Sequence, residues 1–101
     1  AAADWFEGDT DSPFMLFINK VRPEKAGRVP AICHADRTAR IQSISRDQNP
    51  LYYDLVRSFA DLTGVPILVN TSFNSRGEPI VCTPADAVEC FASSPLDALV
   101  V

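Results

Sequence analysis

The feature that most constrains the fold is a helix with both ends marked in the sequence. Asn49 stands before Pro50, and Gly64 closes the apolar periodicity that follows. An Asn side chain can cap a first turn, proline is favoured at the first helical position, and glycine readily ends a helix. One face is predicted to pack on a sheet and the other to meet water. The apolar face consists of Tyr52, Leu55, Val56, Phe59 and Leu62, and the polar face of Asp54, Arg57, Ser58 and Asp61.

A second helix is marked in the same way. Thr83 is its predicted N-cap, Pro84 its first residue, and Asp86 complements the helix dipole from the first turn. The helix is expected to end near Ser93-Ser94-Pro95.

Apolar runs around these helices predict strands. The predicted strands are 14–21, 65–69, 79–82 and 98–101, together with a hairpin of 31–34 and 40–45 around an Asp-led turn. The order of elements predicts an α/β fold, with α+β as the alternative, in which helices pack on a mixed twisted sheet. Residues 1–13 are interpreted as a linker or a tail of a preceding region, and residues 14–101 as a partial domain.

Composition excludes several classes of protein. No apolar stretch reaches the roughly 20 residues that a membrane helix needs, and the start lacks a signal peptide, so a cytoplasmic protein without membrane contact is expected. The net charge of −4 argues against nucleic acid as a partner. The three widely spaced cysteines are interpreted as small buried apolar residues, and their scatter excludes a zinc site.

The charge is unevenly distributed along the chain. Residues 20–46 contain seven basic and two acidic side chains and are net +5, whereas the flanking segments are acidic. A basic block within an acidic protein suggests a small anionic ligand, above all phosphate, because the planar arginine fork matches its oxygens. A solvated basic strand face is an equally good interpretation for any one arginine.

A polar loop follows the predicted strand 65–69. If its backbone is extended, Asn70, Ser72 and Asn74 project from one side, where they could hold phosphate or a carboxamide. Arg76 would supply positive charge, and Gly77 a tight turn. The alternative is an ordinary surface turn with a pair between Arg76 and Glu78.

Two arginines flank the predicted strand 40–45. Arg40 would stand at its start and Arg46 just beyond its end, roughly 20 Å apart, so one small ligand cannot bind both. Arg46 is interpreted as structural. His34, the only histidine, is interpreted as a hydrogen-bonded structural residue rather than a base.

Three motifs resemble the C-terminal region of the O-carbamoyltransferases, which include nodulation and antibiotic-tailoring enzymes. They are His34-x-Asp36-x-Thr38-Ala39-Arg40-Ile41-Gln42, Ser45-Arg46-Asp47-Gln48-Asn49-Pro50-Leu51-Tyr52-Tyr53, and Gly64-Val65-Pro66 through Thr83-Pro84, with Asn-Thr-Ser-Phe-Asn-x-Arg-Gly-Glu-Pro inside the last. The resemblance covers roughly residues 12–101. The chain departs from the family pattern at Arg37, where glycine is expected in the turn.

The resemblance implies a two-part cytoplasmic enzyme. A YrdC-like C-terminal part, to which this chain would belong, makes carbamoyl-adenylate from carbamoyl phosphate and ATP. A Kae1-like N-terminal part of the same polypeptide carries a metal, expected to be iron or similar, and transfers the carbamoyl group to a hydroxyl acceptor. The resemblance makes Arg40 and Ser72 catalytic candidates, with Asn70, Asn74 and Arg76 binding substrate or nucleotide, and no metal ligand in this chain. The fragment would be inactive alone. The alternative is a non-catalytic structural or interaction domain of the same enzyme.

Overall fold

The computed structural model describes residues 2–101, which divide into two compact units between Val69 and Asn70. The first unit contains β1 (Ile18–Lys20), α1 (Pro23–Ala26), β2 (Thr38–Arg40) and α2 (Pro50–Thr63), with short 3-10 turns at Ala2–Asp4 and Pro30–Ile32. The second unit contains α3 (Pro84–Ala92). The combination of a sheet with helices confirms the predicted α/β class, but the sheet formed by the described residues is a two-stranded antiparallel one rather than the predicted mixed sheet.

The sheet of the first unit consists of β1 and β2, which pair antiparallel. In its register, Ile18 lies opposite Arg40, Asn19 opposite Ala39 and Lys20 opposite Thr38. Successive side chains of a strand point to opposite faces, and here the central pair is buried while both flanking pairs are more exposed. The sheet therefore has a buried face and an outer face.

The core of the first unit lies against the buried face. It consists of Trp5, Phe6, Val21, Val29, Ala39 and Ile41. Half-buried side chains pack around it, namely those of Ala26, Ile32, Cys33, Val65 and Ile67. Two residues of the predicted linker 1–13, Trp5 and Phe6, thus belong to this core. The interpretation of that segment as a linker or a tail of a preceding region stays a prediction.

Both predicted caps of α2 are confirmed. The Asn49 side chain accepts a hydrogen bond from the Tyr52 amide at 3.1 Å, and Gly64 has φ of +71° at the C-terminal end. The predicted packing of the apolar face is only partly correct. Tyr52, Val56 and Phe59 are half-buried, but Leu55 and Leu62 are 56% and 87% exposed.

The predicted strand 14–21 is wrong in extent, because only Ile18–Lys20 pairs with another strand. Phe14 and Leu16 are 77% and 72% exposed. A continuous apolar run has no period that marks which residues are buried, so its composition alone overstated the strand.

The predicted hairpin is correct in its turn and wrong in its arms. The turn forms at Asp36, but Pro30–Ile32 is a 3-10 turn, and β2 pairs with β1 across the chain. Arg40 is consequently the last residue of β2 rather than the first residue of a strand. Within residues 2–101, the segments 65–69, 79–82 and 98–101 form no strand.

The second unit is organised by α3, whose predicted start is confirmed. Thr83 and Asp86 form a capping box, in which each side chain accepts a hydrogen bond from the other residue's backbone N–H. Ala87 and Cys90 of this helix are buried. The carbonyl of Phe73 accepts a hydrogen bond from the Val81 amide at 2.9 Å, which joins the two sides of the preceding loop.

The cysteines and the helices bear on two further expectations. Cys90 is buried, but Cys33 is only half-buried and Cys82 is exposed, so the prediction of three buried cysteines is wrong for Cys82.

Among residues 2–101, no helix has both the length and the apolar character needed to cross a membrane.

Candidate functional site: a cationic face and a polar loop

The outer face of the sheet, made of Ile18, Lys20, Thr38 and Arg40, carries two cations. Arg40 and Lys20 are both exposed, and within the described part of the chain neither side chain forms an ion pair. The register places them diagonally across the two strands, a relation in which residues are about 7–8 Å apart. Two unpaired like charges at this spacing attract an anion with several oxygens.

Arg46 has a different environment, in keeping with its predicted structural role. Its guanidinium donates to Oδ1 of Asp54 at 2.6 Å and lies 5.9 Å from the centroid of the Tyr53 ring. Both partners of the ion pair are at least half exposed, so the pair adds little stability. It does fix the segment before α2 to the helix surface.

A tight turn positions the start of β2. The His34 amide donates to the Thr38 carbonyl at 2.8 Å, and the Arg37 amide to the His34 carbonyl at 2.9 Å. Arg37 has φ of +63°, the left-handed conformation that favours glycine, the residue expected here from the family resemblance. The backbone of this turn therefore keeps the expected geometry although the side chain differs.

Three side chains of the turn form a hydrogen-bonded chain. The Thr38 hydroxyl donates to Oδ1 of Asp36 at 2.7 Å, and the Thr38 amide donates to the same oxygen at 3.0 Å. Nδ1 of His34 lies 3.1 Å from the Thr38 hydroxyl. Hydrogen bonds from the hydroxyl and amide of Thr38 lower the pKa of Asp36, so its carboxylate is an acceptor.

The polar loop of the second unit contains a turn closed by Asn74. Its side-chain amide donates to the carbonyls of Ser75 at 3.3 Å and of Glu78 at 3.0 Å, and the Glu78 amide donates to the Ser75 carbonyl at 3.0 Å. Gly77 has φ of +86°, in agreement with its predicted place in a tight turn. Asn74 thus holds the loop in shape.

Three other candidates of this loop, Asn70, Ser72 and Arg76, are exposed. The suggested pair between Arg76 and Glu78 is not formed among the residues that the structure describes. Arg40 belongs to the first unit and the other four candidates to the second. Their participation in one pocket, and their roles in it, stay predictions.

Sequence reasoning missed Lys20 and Thr38 as members of the site. Thr38 was signalled by the alternation His34-x-Asp36-x-Thr38 around a turn, but Lys20 enters only through the pairing of β1 with β2, which lie about twenty residues apart in the chain. Among the described residues, no group of three or more His, Cys, Asp or Glu side chains is placed to hold a metal. The family resemblance assigns its metal to the N-terminal part, outside this chain, and that assignment stays a prediction.

The chain belongs to the carbamoyltransferase C-terminal family. The family described as Carbamoyltransferase C-terminus matches residues 1–101, which confirms the resemblance carried by the three motifs. The chain is 46% identical to nodulation protein NolO from Bradyrhizobium diazoefficiens, a match that covers 99% of this chain and 19% of that protein.

Two further relatives have the same relation to the chain. Nodulation protein NolNO from Sinorhizobium fredii is 49% identical over 88% of this chain and 13% of its own length. An uncharacterized protein from Synechocystis sp. is 44% identical over 96% of this chain and 19% of its own length. The chain thus spans less than a fifth of each of these three relatives.

Proposed function

We propose that this chain contributes to the pocket of an O-carbamoyltransferase that makes carbamoyl-adenylate from carbamoyl phosphate and ATP, before transfer of the carbamoyl group to a hydroxyl acceptor. Membership of the carbamoyltransferase C-terminal family supports the reaction class. The observation that carries the assignment is the outer face, where one strand pair presents Lys20 and Arg40, two cations that form no ion pair with any residue of the described chain.

The chemistry of adenylation suits such a face. Both substrates carry phosphate. Carbamoyl phosphate loses inorganic phosphate to water, and an oxygen of the resulting carbamate bonds to the α-phosphorus of ATP as the bond to pyrophosphate breaks, so negative charge shifts between phosphoryl oxygens. Fixed cations and hydrogen-bond donors stabilise that charge without forming a covalent bond to the protein. Arg40 and Ser72 are the proposed catalytic residues, and Asn70, Asn74 and Arg76 are proposed to bind the substrate or nucleotide.

The remainder of the reaction is assigned to other parts of the polypeptide. Relatives more than five times as long as this chain leave room for the proposed Kae1-like partner domain, which would hold the metal and select the acceptor, for example a nodulation factor or an antibiotic. A YrdC-like fold for the complete C-terminal part belongs to the same proposal, as do cytoplasmic localisation and the inactivity of this chain alone.

The test measures pyrophosphate released by the full-length protein in the presence of both carbamoyl phosphate and ATP. Arg40→Ala is expected to lower the rate by about 100-fold or more, the scale reported for loss of one charge-stabilising donor. Ser72→Ala is expected to lower it in the same direction. Arg57→Ala and Ser58→Ala are the matched controls, because both residues are exposed on α2 and lie outside the proposed site. Folded Arg40 and Ser72 variants with the wild-type rate would refute the proposal.

A second function is favoured by the apolar surface of α2. Leu51, Leu55 and Leu62 are 83%, 56% and 87% exposed and lie along one stripe of the helix, because their spacings of four and seven residues return to the same side. A non-catalytic domain that packs this stripe against the rest of the polypeptide would need these leucines and not Arg40 or Ser72. In the same assay, Leu55→Ser would then lower the rate while Arg40→Ala would not.

A further inference from the structure

We infer that His34 is a substrate-contacting residue of the outer face, and that its Nε2 accepts a hydrogen bond from the amino group of a carbamoyl phosphate. This inference rests on the proposed function and adds a recognition element to it. The ligand it predicts is an acyl phosphate with an N–H donor, held by cations at one end and by an imidazole nitrogen at the other.

The first step is the orientation of the Thr38 hydroxyl. A hydroxyl has one proton, and Thr38 gives it to Oδ1 of Asp36 at 2.7 Å. The Asp36 carboxylate cannot return a proton, because its lowered pKa keeps it ionised at neutral pH. The Thr38 oxygen must therefore accept its second hydrogen bond, from Nδ1 of His34 at 3.1 Å.

The second step is the tautomer of the imidazole. If Nδ1 carries the proton, Nε2 of the neutral ring carries a lone pair and is an acceptor. His34 is exposed, and within the described residues its ring forms no hydrogen bond other than the one to Thr38. When the ring is neutral, the chain from Asp36 through Thr38 thus leaves Nε2 as an acceptor on the surface.

The third step is the position of this acceptor beside the cations. The side chain of Thr38 stands on the outer face, directly opposite Lys20, and Arg40 follows two residues along the same strand face. Two residues of a strand span about 6.6 Å, so Arg40 stands within reach of a small ligand that lies beside Thr38, the residue to which the imidazole is hydrogen-bonded. Phosphate alone would use only the cations. The acceptor adds a preference for a ligand with an N–H group.

The experiment compares two ligands that differ at one group. Carbamoyl phosphate carries an amino group where acetyl phosphate carries a methyl group, and the two anions are otherwise close in shape. Dissociation constants for both are measured on the full-length protein by calorimetric titration. The wild-type protein is expected to bind carbamoyl phosphate about 3- to 10-fold more tightly, which corresponds to one neutral hydrogen bond.

His34→Phe is expected to bring the ratio of the two constants close to one while the constant for acetyl phosphate stays unchanged. His34→Gln is expected to retain the preference, because its side-chain oxygen can occupy the place of Nε2. Thr38→Val removes the acceptor for Nδ1–H and is expected to lower the ratio, whereas Thr38→Ser is expected to retain it. If His34→Phe does not fold, the two Thr38 variants perform the same test.

The outcomes separate this inference from the proposed function. Arg40→Ala should raise the dissociation constants for carbamoyl phosphate and acetyl phosphate by the same factor. If Arg40→Ala lowers both affinities while His34→Phe and Thr38→Val keep the wild-type ratio of the two constants, the inference about His34 is wrong. The proposed anion pocket at Arg40 is then still supported. The inference would also be overturned if His34→Phe lowered the affinity for both ligands equally, because the ring would then contact the phosphate group that both ligands share. If wild-type protein binds neither anion, both proposals are wrong.

Discussion

At the scale of single residues, Arg37 illustrates how a turn can hold a residue other than glycine in the left-handed conformation. Its φ of +63° lies in a region that costs an ordinary L-residue about 1–2 kcal/mol. Its amide and carbonyl are both hydrogen-bonded, to His34 and Val21 respectively, so the surrounding backbone holds it there. The turn is thus imposed by its neighbours and not by the intrinsic preference of Arg37.

This position allows a direct test with two variants. Arg37→Val should be less stable than Arg37→Gly by about 1–2 kcal/mol, because a β-branched side chain is strained at positive φ and glycine is not. Urea unfolding, followed by tryptophan fluorescence, measures the free energy of unfolding of both variants and of the unchanged protein. Equal values for the valine and glycine variants would contradict the left-handed conformation.

The candidate site was predictable from the sequence only where its contacts are local. The Asp36 turn, the tight turn at Gly77 and the structural role of Arg46 follow from neighbouring residues in the chain. The cationic pair of Lys20 and Arg40 does not, because it depends on the register between two strands far apart in sequence. The hydrogen bond between His34 and Thr38 was also missed, although both residues stood in one short motif.

At the scale of elements, helix starts were predicted well and strands poorly, for the same physical reason. A capped helix start is specified within about four residues, as at Asn49 and Thr83. A strand needs a partner, and the apolar segment 65–69 has none within the described chain, although Val65 and Ile67 pack against the core. Apolar composition marked the burial there without specifying the hydrogen-bonding pattern.

The capping box of α3 makes this helix sensitive to acid. Hydrogen bonds with the backbone amide and the side-chain hydroxyl of Thr83, and with the Cys82 amide, lower the pKa of Asp86. Because the folded pKa lies below the ordinary value of about 3.9, the ionised cap stabilises the helix above that pH. This stabilisation is lost as the pH falls through the lowered folded value.

Circular dichroism between pH 6 and pH 2 tests this dependence. The unchanged protein should lose more helical signal below about pH 4 than the Asp86→Asn variant, which has no charge to lose at this position. Asp97→Asn is the control, since Asp97 lies outside the helix and should leave the acid transition unchanged. If the Asp86 and Asp97 variants behave alike, the capping box does not contribute.

At the scale of the whole molecule, Trp5 is central to the first unit. It is 5% exposed within the core cluster, and the cationic groups of Lys25 and Arg28 lie 5.1 and 5.2 Å from its ring centroid. An aromatic ring attracts cations through its negative face, so the side chain joins the core to the basic surface above it. A segment that the sequence suggested to be a linker therefore supplies a main packing contact.

Truncation of this ring should destabilise the first unit strongly. Trp5→Ala is expected to lower the free energy of unfolding by about 3–5 kcal/mol, the usual cost of removing a buried aromatic side chain. Val100→Ala should stay within about 0.5 kcal/mol, because Val100 is 92% exposed. Urea unfolding followed by circular dichroism measures both variants. A small effect at Trp5 would contradict its place in the core.

The location of the aromatic chromophores gives the protein a selective optical probe. Its single tryptophan and both tyrosines, Tyr52 and Tyr53, belong to the first unit, and none lies in residues 70–101. Tryptophan and tyrosine fluorescence therefore reports the first unit alone, whereas the amide absorption of α3 contributes to far-ultraviolet circular dichroism. Comparison of the two signals during unfolding distinguishes a single cooperative transition from two separate ones, without any label or substitution.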